Sequence, residues 1–191
     1  MREKTIPAQI VDAIKTENRE LIIELFSKNP DQLSFYTPFG GHTWLGYAAQ
    51  IGKLDAVKTL VKLGLGINVG DKRNNALPVS VAASSGHVEV VDFFLKNGTD
   101  LDVSSAINNA LFSAVIGRST EIVEKLLDAG IDSKVRYNTS TMKNMDAIAF
   151  ALMRGEKECA RIIALRNTNG DEEQAVSTLA AAYEIADKNA S

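Results

Sequence analysis

The sequence predicts an all-α repeat protein, a solenoid of about five helix-turn-helix units with hairpin loops and a C-terminal capping helix. Two observations carry this prediction. At five places an alanine is followed seven residues later by an acid, and successive alanines are 35, 34, 32 and 37 residues apart. A glycine or asparagine follows each acid by nine residues. A period of about 33 residues is typical of stacked helical repeats, in which each unit buries its apolar face against its neighbours.

The alanine and acid of each repeat place its two helices. The pairs are Ala13/Glu20, Ala48/Asp55, Ala82/Glu89, Ala114/Glu121 and Ala151/Glu158. We expect the alanine in the first helix, where a small side chain allows the next repeat to approach closely. We expect the acid in the first turn of the second helix, where the helix dipole favours negative charge. Apolar pairs that follow each acid by five and six residues predict the buried face of the second helix.

Glycines predict the turns and the helix ends. Turn glycines are expected at Gly52, Gly86 and Gly155, whereas Glu17 and Arg118 stand at that position in repeats one and four, where we expect distorted turns. The second helices are expected to end in a left-handed residue. The residues at those ends are Asn29, Gly64, Gly98, Gly130 and Asn167.

Two stretches then carry a family resemblance, "TWLGYAAQIGKLDAVKTLVKLGLGIN" and "LPVSVAASSGHVEVVDFFLKNGTDLD". They resemble ankyrin repeats, whose pattern is T-P-L-H-x-A-A-x-x-G-H-x-E-V-V-x-x-L-L-x-x-G-A-D. The resemblance covers about residues 8–167 and predicts repeats near residues 6–37, 38–71, 72–103, 104–136 and 137–169. Trp44 replaces the pattern's proline, and its histidine is replaced at Gly46, Ser80, Phe112 and Ala149. Residues 171–191 are interpreted as a capping helix, with Leu179, Tyr183 and Ile185 over repeat five, or as a flexible tail.

Composition narrows the class of partner. The chain has 191 residues and a formal charge of −3, which gives no reason to expect a nucleic acid or an anionic membrane. Cys159 is the only cysteine, so neither an internal disulfide nor a cysteine zinc site can form. No apolar run approaches the length of a membrane span. We therefore expect a cytoplasmic chain that is neither secreted nor membrane-inserted, and a monomer.

Few residues suit catalysis. The two histidines are His42 at a loop and His87, which stands where ankyrin repeats carry a structural histidine. Cys159 takes an inward position that favours a buried thiol over a nucleophile. The stretch "GLGINVG" follows a predicted helix, whereas a phosphate-binding glycine loop follows a strand. We expect no catalytic residue, no cofactor and no metal.

The resemblance places partner contacts just before the T-P-L-H stretch and just after the paired alanines. The residues predicted to bind a protein partner are Phe39, His42, Gln50, Ile51, Arg73, Asn74, Ser84, Asn108, Ile116, Lys143, Met145, Met153 and Arg154.

Two long loops leave alternatives open. "SFYTPFGGHTWLGY" gathers aromatic residues that could anchor an interface or form a small satellite core. "IDSKVRYNTSTMKNMD" carries Lys134, Arg136 and Lys143 without an acid between Asp132 and Asp146, so it could meet an acidic partner or be solvated.

The favoured function is therefore a non-catalytic module that captures one protein partner on the concave ankyrin face. A sharper alternative is an immunity protein that binds and inhibits a cognate bacterial toxin, since small free-standing ankyrin proteins include such inhibitors. A self-associating scaffold and an enzyme that uses His42 are lesser alternatives.

Overall fold

The chain divides into two compact units in this computed structural model, residues 1–100 and 101–191. The structure describes residues 4–38 and 40–190. The first unit holds repeats one to three, and the second holds repeats four and five with the C-terminal helix. Among the described residues, none of the helices combines the length and the apolar character that crossing a bilayer requires.

Three helix pairs build the first unit. They are α1 (Ile6–Lys15) with α2 (Arg19–Lys28), α3 (Trp44–Gln50) with α4 (Leu54–Lys62), and α5 (Pro78–Ser84) with α6 (Val88–Lys96). A 3-10 turn (Pro30–Ser34) follows α2. The first helix of repeat two packs against that of repeat three, and the second helices pack against each other in the same order. This is the stacking that the repeat period predicts.

Two helix pairs and a long terminal helix build the second unit. They are α7 (Ala110–Ile116) with α8 (Thr120–Asp128), α9 (Ala147–Met153) with α10 (Lys157–Asn167), and α11 (Glu172–Ala190). Helix α7 packs against α9, α8 packs against α10, and α11 packs against both α9 and α10.

The repeat alanines lie in the core of the helix pairs. All five are fully buried, namely Ala13, Ala48, Ala82, Ala114 and Ala151. The acid that follows each of them lies in the first turn of a second helix. Both positions therefore confirm the sequence prediction.

Every helix pair has the same turn between its helices. In repeat two, the backbone N–H of Gly52 donates to the carbonyl of Ala49, at 3.2 Å, and that of Lys53 donates to the carbonyl of Ala48, at 3.0 Å. The other four turns repeat both bonds. Glu17 and Arg118 adopt the left-handed conformation themselves, with φ of 52° and 55°. The prediction of distorted turns was wrong, because the hydrogen bonds and the packing around the turn outweigh the local cost of a side chain there.

The ends of the second helices follow the prediction in the middle repeats only. Gly64, Gly98 and Gly130 have φ of 95°, 76° and 85°. Asn29 has φ of −133° instead, because Pro30 follows it and a proline favours an extended backbone in the residue before it. Asn167 lies inside α10, and the left-handed residue comes two positions later. Both asparagine assignments were wrong.

Residues 172–190 form a helix over repeat five, so the flexible alternative does not describe them. The buried side chains of this helix are Ala175, Ala182 and Ala186. Tyr183, which we expected to face the repeat, is 63% exposed. The contact is made by small side chains because they let the backbones of α11 and α9 approach each other closely.

Candidate functional site

The hairpin before α5 presents two predicted contact residues, Arg73 and Asn74, to solvent. Asp71 fixes its shape, since Oδ1 accepts from the backbone N–H groups of Arg73, at 2.9 Å, and Asn74, at 2.7 Å. Lys72, Arg73 and Asn74 are all exposed at the tip. The hairpin therefore offers two positive charges on a backbone that its own hydrogen bonds hold in place.

His42 is mostly covered by the same hairpin. Only 17% of its side chain is exposed, and Nδ1 lies 3.8 Å from Oδ2 of Asp71. Little of the ring is left for a partner, so His42 is not among the contact residues that we propose. Phe39, also predicted as a contact, lies outside the described residues.

The long aromatic loop before α3 divides between core and surface. Trp44 is fully buried, with its ring edge against Phe26 at a centroid distance of 6.4 Å. Phe35 is 55% exposed, and Tyr36 beside it is also exposed. The satellite-core interpretation holds for Trp44, whereas the interface interpretation stays open for Phe35 and Tyr36.

The C-terminal ends of α3 and α5 supply the other predicted contacts of the first unit. We call the first helix of each repeat its inner helix. Gln50 is exposed, and Ile51 and Ser84 are half-buried. The ring of His87 braces this edge, because Nε2 donates to the carbonyl of Gln50 at 2.9 Å. This supports the structural role that we expected for His87.

In the second unit, the hairpin before α7 turns one expected contact inward. Asp102 accepts from the backbone of Ser104 and from Nδ2 of Asn108, each at 2.8 Å, and these bonds lower the pKa of its carboxyl. Asn108 is therefore buried, and its prediction as a contact residue was wrong. Ile107 takes the outward position and is 48% exposed. We missed Ile107, because the hairpin also contains Leu101, Val103 and Ala106 and no sequence pattern marks which of its apolar residues faces outward.

The other predicted contacts of the second unit lie at the C-terminal ends of α7 and α9. Ile116 is 46% exposed. Met153 is half-buried, and Arg154 is exposed with its guanidinium 5.8 Å from the ring centre of Phe150, a cation–π arrangement. Ile116 and Met153 thus lie at equivalent positions of α7 and α9, and Arg154 directly follows Met153.

The long loop of residues 132–146 is a structured hairpin. Tyr137 and Met145 exchange backbone hydrogen bonds of 2.9 and 3.0 Å. Met145 is fully buried, so its prediction as a contact residue was wrong: an inserted loop has its own core, and Met145 supplies it. Lys143 is exposed, and Asn189 of α11 binds both its backbone N–H, at 2.7 Å, and its carbonyl, at 3.0 Å.

Tyr137 joins this loop to the preceding hairpin within the second unit. Its hydroxyl donates to the carbonyl of Val103, at 2.9 Å, and accepts from Nδ2 of Asn109, at 3.0 Å. Burial raises the pKa of the Tyr137 phenol. The neutral hydroxyl is therefore the form that holds the loop.

The thiol of Cys159 is the remaining side chain that could act as a nucleophile, and its position favours a structural role. Cys159 is buried, and that burial raises the pKa of its thiol, which disfavours the nucleophilic thiolate. In the part of the chain that the structure describes, no group of three or more His, Cys, Asp or Glu side chains could hold a metal ion. In each unit taken by itself, the exposed apolar and charged residues at hairpin tips and helix ends are the candidate binding positions.

Helix pairs that share one turn, one buried alanine and one order of packing define a helical-repeat protein. A family model described as ankyrin repeats (three copies) matches residues 10–105 and 45–139. The chain belongs to the ankyrin repeat family. A search of curated proteins found no match to it. Ankyrin repeats are generally protein-binding modules and are typically non-catalytic.

Proposed function

We propose that the chain is a non-catalytic module that captures a protein partner with its hairpin tips and the ends of its inner helices, which line the concave face in ankyrin proteins. The observation that carries this proposal is the half-exposed Ile116. A single exposed aliphatic side chain is common on a soluble protein, but Ile116 lies at a helix end where ankyrin repeats contact their partners, and Ile107 and Met153 leave further apolar groups at predicted contact regions of the same unit.

The other exposed contact positions support the proposal. Ile107, in the hairpin before α7, and Met153, at the position of α9 equivalent to Ile116, also leave apolar groups exposed or half-buried, and Arg154 is a residue type enriched at interfaces. In the first unit, the corresponding positions are more polar. The proposed contact residues are Gln50, Ile51, Arg73, Asn74, Ser84, Ile107, Ile116, Lys143, Met153 and Arg154.

The test is a capture experiment from a lysate of the source organism with three immobilised proteins. They are the unchanged chain, an Ile116→Ala/Met153→Ala variant, and a control, Val176→Ala/Tyr183→Ala, which removes exposed apolar groups from α11. Mass spectrometry quantifies the bound proteins. All changes are at exposed or half-buried side chains, so each variant should keep its circular dichroism spectrum.

We expect one protein to be held by the unchanged chain and by the α11 control, and to be depleted at least tenfold on the Ile116→Ala/Met153→Ala variant. Loss on the α11 control alone would place the interface on α11 and contradict the proposal. Absence of any specifically held protein would also contradict it.

The same experiment separates an inhibitor from an adaptor. If the captured protein is an enzyme or a toxin, its activity is measured with and without an excess of the chain. Loss of activity would identify the chain as an inhibitor, as an immunity protein would be. Retained activity would make it an adaptor or a scaffold.

A further inference from the structure

A second surface, in the first unit, is built from the aromatic loop and the hairpin before α5. Phe35 and Tyr36 are exposed, and both line a shallow depression together with Pro38 and Lys72. Arg73 lies beside it, since a methyl group on Gly41 would be only 3.6 Å from Cγ of Arg73. We name Phe35, Tyr36, Pro38, Lys72 and Arg73 the aromatic–basic surface.

The aromatic half of this surface is fixed by backbone hydrogen bonds. Tyr36 and Thr43 form an antiparallel bridge, and the N–H of Thr37 donates to the carbonyl of His42 at 2.7 Å. The 3-10 turn of residues 30–34 precedes it directly. Because the backbone is already ordered, a partner that binds the aromatic rings would lose little conformational entropy of the loop.

The basic half is attached to the aromatic half. The N–H of Lys72 donates to the carbonyl of Gly41 at 2.9 Å, which joins the two loops. Lys72 and Arg73 are exposed, and no carboxylate of the described residues forms an ion pair with either. The adjacent acid, Asp71, is occupied by the backbone of its own hairpin and faces His42.

We propose that the aromatic–basic surface docks an acidic peptide segment that carries an aromatic or aliphatic side chain. Exposed rings are covered best by an apolar side chain, and two cations without carboxylate partners are complemented best by carboxylates on either side of it. A nucleic acid fits less well, since two cations neutralise few phosphates and the chain is negative overall. This inference rests on the proposed function and names the chemistry of one partner segment.

The test is a selection of random short peptides displayed on phage against the immobilised full chain. Selected peptides are then synthesised, and their affinity is measured by fluorescence anisotropy. The variants are Phe35→Ala and Lys72→Glu, alone and together. The control is Ile23→Ala with Lys62→Glu, which likewise removes one apolar side chain and reverses one lysine charge, at exposed positions of α2 and α4.

We expect the selected peptides to be rich in Asp and Glu around an aromatic or aliphatic residue. Phe35→Ala and Lys72→Glu should each weaken binding about tenfold, and the control less than twofold. Raising sodium chloride from about 0.05 to about 0.5 M should weaken the peptide several-fold, because part of the attraction is between charges.

Three outcomes would overturn the inference. They are peptides without acidic enrichment, acidic peptides that bind the Phe35→Ala/Lys72→Glu variant as well as the unchanged chain, and tighter binding of a single-stranded oligonucleotide than of any peptide. If such an outcome is found while lysate capture still depends on Ile116 and Met153, the inference alone fails. If lysate capture fails as well, the proposed function fails with it.

Discussion

Two left-handed glycines of the first unit, one in an inter-helix turn and one at a helix end, have nearly the same φ but should differ in what a methyl group costs them. Gly52 and Gly98 have φ of 69° and 76°. A methyl group on Gly52 would lie 2.5 Å from Nδ1 of His87, whereas one on Gly98 would have no heavy atom within 4 Å apart from those of its chain neighbours. We therefore expect Gly52→Ala to reduce the stability of the first unit more than Gly98→Ala does.

The expected magnitudes follow from these contacts. Alanine in the left-handed region costs about 1 kcal/mol, which is the whole expected loss of unfolding free energy for Gly98→Ala. At Gly52 the ring of His87 must also move, which breaks its hydrogen bond to the carbonyl of Gln50, worth about 1 kcal/mol. Gly52→Ala should therefore cost about 2 kcal/mol in total.

The assay is urea unfolding followed by the fluorescence of Trp44. It is the only tryptophan of the chain and is fully buried in repeat two, so its signal reports the unit that contains all three changed residues. The unchanged chain, Gly52→Ala, His87→Ala and the Gly52→Ala/His87→Ala double variant form a thermodynamic cycle, and Gly98→Ala is the control.

In the His87→Ala background, Gly52→Ala should cost only about 1 kcal/mol, because no ring is left to displace. Equal losses for Gly52→Ala and Gly98→Ala would refute the reasoning. So would a loss at Gly52 that stays the same without His87.

Three further changes test the second unit. Arg118→Gly should raise the free energy of unfolding by about 0.5–1 kcal/mol in a urea titration, since it relieves a left-handed side chain and loses only an ion pair with Glu156 in which the arginine side chain is exposed; a loss would contradict this. Tyr137→Phe should lower stability at pH 7 by about 1–3 kcal/mol. The folded pKa of Tyr137 is raised, so its contribution is present below about pH 10 and is lost as pH rises through that pKa; denaturation at several pH values should show a smaller alkaline decline in the variant. Asn189→Ala should speed amide hydrogen exchange at Lys143 at least fivefold, and unchanged exchange would show that the contact between α11 and the loop is not maintained in solution.

The repeat frame could be predicted because it depends on local chemistry that recurs. A small side chain at Ala48 or Ala114 is required where helices approach each other, and a glycine such as Gly64 is favoured where the backbone is left-handed. Five copies of each signal reinforce one another. The turns at Glu17 and Arg118 show the limit of this reasoning, since the fold imposes a conformation that those residue types disfavour.

The candidate site was harder to predict because loops have no period. Asn108 and Met145 have side chains suited to a surface or to a core, and only the hydrogen bonds of their hairpins decide which. Ile107 is exposed because its neighbour Asn108 turns inward in the same hairpin. Tyr183 on α11 is exposed because small alanines made the closer contact with the repeat.

The central claim is that a protein partner contacts the hairpin tips and the inner-helix ends. Hydrogen–deuterium exchange of the chain, alone and with its captured partner, tests this claim most directly. We predict protection of residues 71–76, 102–108 and 116–118 and of the end of α9 near Met153, with the amides of α8, α10 and α11 unchanged. Protection confined to α8, α10 or α11 would contradict the account and place the partner elsewhere.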